Sequence, residues 1–215
     1  MHPRAPWLIA RLAGTALLAL PGLCHAGRLE LALRPTWQGE ALQTDAVRYT
    51  NAAAEILSVS RLSLLLSGFA LQRADGMWTD LPGVAWFDAG AERLRATLAD
   101  APAGAYRALR FHVGPDAVQN AADGGRLAPD DPLNPLLNGL HWSWQGGFVF
   151  LALEGLFRAA GGDLGGWSYH LARDPNRTAV TLEHPLDLRG GERLSLEFDL
   201  ATLLGSPSAP SFRRD

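Results

Sequence analysis

The chain has 215 residues with 19 basic and 22 acidic side chains, a formal charge of −3 at neutral pH. Every basic residue is arginine, which excludes lysine Schiff-base and phosphate-loop chemistry, and the acidic balance argues against a nucleic-acid partner. Its one cysteine, Cys24, lies near the start, so the remainder has neither disulfides nor a thiolate metal site.

Residues 1–26 read as a signal peptide. Arg4 and Arg11 supply a positive start, Leu12 to Leu23 an apolar stretch, and Cys24-His25-Ala26 the small residues at a cleavage site. Cleavage after Ala26 removes two arginines and no acid, which takes the charge from −3 to −5. No later run reaches the roughly eighteen apolar residues of a membrane helix, so an exported, periplasmic or secreted protein without a membrane span is expected. Leu23 stands where a lipid-attachment signal wants a small residue, so a lipoprotein anchored at Cys24 is the weaker reading.

One domain, residues 27–204, follows the leader. Leu29, Leu31 and Leu33 alternate with Arg28, Glu30 and Ala32, the period of a strand with one face buried. Further strands are predicted at 46–50, 58–71, 93–98, 106–113, 147–153, 167–171 and 179–184. A last one is predicted where Leu194, Leu196, Phe198 and Leu200 alternate with Arg193, Ser195, Glu197 and Asp199. Gly, Pro, Asp and Asn clusters separate them at 114–116, 129–138, 161–166 and 189–191. Helix is confined to a turn or two at 115–122 and 132–138, and the Ser/Pro-rich 205–215 reads as a flexible tail. The fold class is all-β, an immunoglobulin-like antiparallel β-sandwich with long loops and little helix.

The most informative segment is 138–155, NGLHWSWQGGFVFLALEG. Read as a strand, it puts Trp142 and Trp144 on one face and His141, Ser143 and Gln145 on the other. The run Phe148 to Leu153 is apolar on both sides and belongs to a covered central strand. Glu154 falls on the face of Phe148 and Phe150, where a carboxylate requires an arginine or an indole N–H as partner.

Asp131-Pro132-Leu133-Asn134-Pro135, Trp142-Ser143-Trp144, Gly147-Phe148-Val149-Phe150, Glu154-Gly155 and Tyr169-His170 together resemble the MbnP family. Weaker matches are Leu64-Leu65-Leu66-Ser67 and Phe111-His112-Val113-Gly114. The family comprises periplasmic copper-binding proteins found beside methanobactin genes and in other bacteria. The resemblance implies copper, Cu(I) or Cu(II), a partner di-haem enzyme related to cytochrome c peroxidases, and oxidation of one tryptophan to kynurenine at the copper site. It implies a binding protein rather than an enzyme.

Imidazole is the natural copper ligand where cysteine is lacking. After the leader the chain offers His112, His141, His170 and His184. His170, then His141, then His112 are the candidate metal ligands, being inside the matching motifs, and His184 is not. Alternation turns His170 away from Trp167 and Tyr169, and His112 away from Leu109 and Phe111. Trp142 and Trp144 are the candidates for oxidation, whereas Trp37, Trp78, Trp86 and Trp167 read as packing. Two alternatives stay open: a secreted module binding a glycan or an apolar ligand without metal, and a calcium loop at Asp123, Asp130, Asp131 and Asn134, which lacks the usual ligand spacing. No G-x-S-x-G, H-E-x-x-H or cysteine nucleophile is present.

Overall fold

The computed structural model describes residues 26–144, 146–158, 162–189 and 192–205. The expected leader up to His25, the tail from Ser206, Gln145, Gly161 and the Gly190-Gly191 turn lie outside the described residues. In chain order the strands are β1 (Ala26–Trp37), β2 (Glu40–Ala41), β3 (Tyr49–Thr50), β4 (Ile56–Leu57), β5 (Arg61–Arg73) and β6 (Trp78–Asp88). They continue with β7 (Arg95–Pro102), β8 (Ala105–Val113), β9 (Val149–Arg158), β10 (Leu164–Ala172), β11 (Thr178–Asp187) and β12 (Glu192–Asp199). Among the described residues three short α-helices, α1 (Ala117–Asn120), α2 (Pro135–Asn138) and α3 (Leu200–Leu204), complete an all-β architecture. No helix among the described residues is long and apolar enough to cross a membrane.

Leucine alternation builds the smaller sheet, in which β1 pairs with β12, β7 and β2. Here β1 and β12 run parallel, Leu31 opposite Leu194, a departure from the otherwise antiparallel pairing among the described strands. The larger sheet has eight strands in the order β11-β8-β5-β9-β4-β3, with β10 on β9 and β6 on β5. Between the sheets lie Leu29, Leu31, Leu62, Leu66, Phe69, Phe87 and Leu153, all buried. Burial of each such side chain contributes about 1.5–3 kcal/mol.

β5 is buried on both faces because the larger sheet has a second cover. Leu65, Trp86, Phe148, Phe150 and Ala152 on its outer face pack against Leu133 and Leu140 from the long 114–148 connection. Asp116 caps α1 by accepting from the Gln119 N–H, and Asn134 caps α2 by accepting from Leu136 N–H. The predicted long loop is therefore a folded lid on the sheet.

Four expectations change in detail. The 46–50 strand shrinks to β3, with Val47 exposed. β6 was not predicted, because Pro82 and Gly83 interrupt its alternation; they are tolerated where the register against β5 shifts between Ser67 and Phe69. Leu200 opens α3 instead of ending β12, since Asp199 accepts a hydrogen bond from the Ala201 N–H and starts the helix. The 141–147 segment is a tight reversal and not a strand: Trp142 N–H donates to the Gly147 carbonyl, and Gly146 N–H to the Trp142 carbonyl.

Among the described glycines Gly155 has the least room for a side chain. A Cβ there would run into the Ser58 carbonyl and the Trp167 indole nitrogen, and Trp167 Nε1 itself donates to the Ser58 and Leu156 carbonyls. Backbone cannot yield as a side-chain tip can, so Gly155→Ala is expected to cost about 1–3 kcal/mol. A lowered urea midpoint checks this; an unchanged midpoint would show that the β4–β9 crossing has slack.

Candidate functional site

Strand register sets the site before any loop is considered. On β9 and β10, Glu154 lies opposite Ser168 and Ala152 opposite His170, so Glu154 and His170 are diagonal neighbours on the outer face. His170 Nε2 lies 3.0 Å from Glu154 Oε1. Arg61, at the start of β5 and opposite Glu154, donates to the same oxygen at 2.9 Å and to the Gly139 carbonyl at the end of α2 at 3.3 Å. Glu154 thus has the arginine its position calls for, and the structure adds an imidazole. Burial pushes the Glu154 carboxyl up, but the His170 hydrogen bond and the Arg61 charge and hydrogen bond outweigh it and hold the group below its ordinary range.

The 141–147 reversal brings the tryptophans to this pair. Gly146 and Gly147, both at positive φ, close the turn, and Asn120 of α1 accepts from the Phe148 N–H at 2.7 Å while donating to Asp174 at 2.7 Å. The Trp142 ring then lies 5.9 Å, centroid to centroid, from His170 and 5.5 Å from Trp144. Trp142 is half-buried, whereas Trp144 is 72 % exposed.

Trp142 separates two clefts. One, about 290 Å³, is lined by Trp142, Trp144, His170 and Arg173; the other, about 260 Å³, by Trp142, Asn120, Gly147 and Arg173. Arg173 adopts φ +73 and ψ 138, a backbone conformation that costs a residue other than glycine of order 1–3 kcal/mol. The 174–176 turn holds it there, with Asn176 N–H donating to the Arg173 carbonyl.

The remaining candidates are dispersed around this corner. His141 leads into the reversal, with its ring edge-on to Phe148 at 4.9 Å. His112 lies on β8 opposite Ser67, beside Gly68 and the Arg177 guanidinium. Burial, then the Arg177 and Arg110 charges, hold its imidazole below the ordinary range despite an opposing pull from the Gly68 backbone. Its Nδ1 is buried without a hydrogen-bond partner. His184 is exposed on β11. Trp37 stacks on Tyr49 at 4.8 Å, Trp86 and Trp78 lie under Arg93 and Arg110, and Trp167 is buried, all packed as expected.

The unmodified side chains do not fit a site of three imidazoles. Among the described residues no group of three or more His, Cys, Asp or Glu gathers closely enough to hold a metal ion. In the segment of the alternative calcium-loop reading, Asp123 and Asp131 cap local turns, and Asn134 caps α2.

A family model described as MbnP matches residues 26–213. The chain belongs to the MbnP family. Among solved structures, MbnP from Methylosinus trichosporium matches with a TM-score of 0.61 at 19 % identity, covering 85 % of this chain and 78 % of that one. At that identity the likeness is one of fold. A search of curated proteins gives no match.

In this MbnP-family chain, Arg61, Arg173 and Asn120 are site residues that sequence reasoning passed over. An arginine partner for Glu154 was legible as a need but not as Arg61, and the backbone of Arg173 leaves no signal in the sequence.

The Glu154 cluster gives a pH prediction. In the unfolded chain the carboxyl protonates near its ordinary value of 4.5, while the folded protein keeps it ionised to lower pH. The unfolded state then binds more protons, so stability is full above that value and falls as pH drops through the depressed folded value. Glu154→Gln is expected to flatten this acid limb in thermal melts, and equal acid slopes for the two proteins would contradict it.

Proposed function

We propose that this MbnP-family protein is exported to the periplasm and works there as a copper-binding protein, not an enzyme, at the corner formed by His170, Trp142 and Trp144. The observation that carries the reading is the contact of an oxidisable indole with a histidine at an open cleft. Oxidation to kynurenine replaces an indole, which has one weak N–H donor and no ligand atom, with an aromatic amine and a ketone. At Trp142 these groups would stand beside His170 and supply donors that the unmodified corner lacks. Glu154 and Arg61 fix the imidazole from the other side, the kind of support that orients metal-binding histidines. His141, next in the chain to Trp142, is the second candidate ligand; His112, between two arginines, is the least suited to a cation. The oxidant in this reading is a partner di-haem, peroxidase-like enzyme.

A second reading has one observation in its favour. An apolar cleft of about 420 Å³ opens between the sheets, lined by Leu64, Leu66, Phe111, Leu151, Leu196 and Phe198. Its size and lining suit a small apolar ligand without metal.

Copper titration and peptide mass mapping separate the two. Protein made beside the partner enzyme is expected to carry, at Trp142 or Trp144, a residue that has lost one carbon and gained one oxygen, and to bind Cu(I) more tightly than unmodified protein. His170→Ala is expected to weaken that binding at least tenfold, the loss of about 1.4 kcal/mol. Unchanged affinity in His170→Ala would remove His170 from the site. Unmodified tryptophans and a copper-independent thermal shift with apolar ligands would favour the second reading.

A further inference from the structure

The two tryptophans of the corner are not equivalent, and their surroundings divide the work between them. We infer that Trp144 is the point where an electron leaves the protein and that Trp142 is where the resulting radical comes to rest. This rests on the reading of the corner as an oxidisable site, and deepens it by assigning a role to each ring.

Accessibility makes the first distinction. Trp144 is 72 % exposed on the tip of the reversal, so an oxidant too large to enter the cleft can touch it. Trp142 is half-buried between the clefts, with Trp144 at 5.5 Å on one side and His170 at 5.9 Å on the other. Such a ring separation is short for electron transfer, so Trp144 can pass a hole inward without itself being consumed.

The other indoles among the described residues are poor competitors. Guanidinium groups lie 4.8 Å from the Trp86 ring and 4.5 Å from the Trp78 ring, and a positive charge over an indole face disfavours removing an electron from it. Trp37 and Trp167 are buried away from any large oxidant. Among the described residues neither Trp142 nor Trp144 has a guanidinium stacked on its ring.

One electron passes from Trp144 to a strong one-electron oxidant, which is reduced; one electron passes from Trp142 to restore Trp144. The Trp142 radical cation then releases its N–H proton to water in the open cleft and becomes a neutral indolyl radical. An indole radical cation is a far stronger acid than the neutral ring, and Trp142 lines both open clefts, where water can take the proton. Once the proton is gone the hole cannot return to Trp144 without recovering it, which fixes the radical beside His170.

Flash photolysis of the purified full chain with tris(bipyridine)ruthenium and persulfate tests the division without copper or any partner enzyme. In the wild-type protein a long-lived neutral indolyl radical is expected in transient absorption. Trp144→Phe is expected to slow its formation by an order of magnitude or more. Trp142→Phe is expected to leave the initial oxidation as fast but to shorten the radical's lifetime by a similar factor. The double variant should lose most of the signal, and unchanged thermal melts would show that each fold is intact. Formation at the wild-type rate in Trp144→Phe, or an unchanged lifetime in Trp142→Phe, would overturn the assignment. A working relay in a protein that fails to bind copper would count against the copper reading alone, and a failed relay in one that does bind it would count against this inference alone.

Discussion

The outer face of the larger sheet is shaped by the shortage of edges on β5. A strand has two edges, and β6 occupies one of them along most of its length. The other is divided, with β9 paired from Arg61 to Leu64 and β8 from Leu66 onward, so β8 and β9 must part where β5 passes from one to the other. Gly114 allows the parting: its N–H donates to the Leu65 carbonyl while the Phe150 ring occupies the space a Cβ would need. Ser67 and Arg177 close the gap by donating to the Gly114 carbonyl. The long connection leaves the sheet at this fork and returns at Phe148, and so its reversal and its indoles hang over the outer face of β9 and β10.

Chemistry at the corner follows from that placement. A carboxylate on the outer face of a covered sheet has to be paired, and Glu154 is paired twice, by a guanidinium that also ties down the end of α2 and by an imidazole one strand away. The ion pair with Arg61 is partly open to solvent, where such pairs contribute little to stability. Its consequence is geometric: the imidazole is held on one side, and its other face meets Trp142. Strain at Arg173 and the positive φ of Gly146 and Gly147 flank the same ring. Among the described residues Arg173 is one of six non-glycine residues at positive φ, and it is the one that lines the clefts at Trp142.

Much of the fold was legible because it depends on alternation. Leu29 to Leu33 and Leu194 to Phe198 declare their buried faces directly, and the doubly apolar run of Phe148 to Leu153 declares a strand covered on both sides. β6 escaped because Pro82 and Gly83 break the period, and the parallel pairing of β1 with β12 is a choice of partner that no period encodes. The site was legible in its residue types and not in its geometry. Extending the strand period through Trp142-Ser143-Trp144 missed a turn that Gly146-Gly147 could have announced. The contact of Glu154 with His170 needs the register of β10 on β9, and the approach of Trp142 to His170 needs the fork as well.

In the proposed function, copper binding at this corner depends on oxidation creating a metal site there. A crystal structure of copper-loaded protein isolated from cells that also make the proposed di-haem partner tests this most directly. It is predicted to show the ion bonded to an imidazole nitrogen of His170 and to a donor of the opened ring at Trp142. Copper bound away from β10, or beside His170 with the Trp142 indole intact, would contradict it.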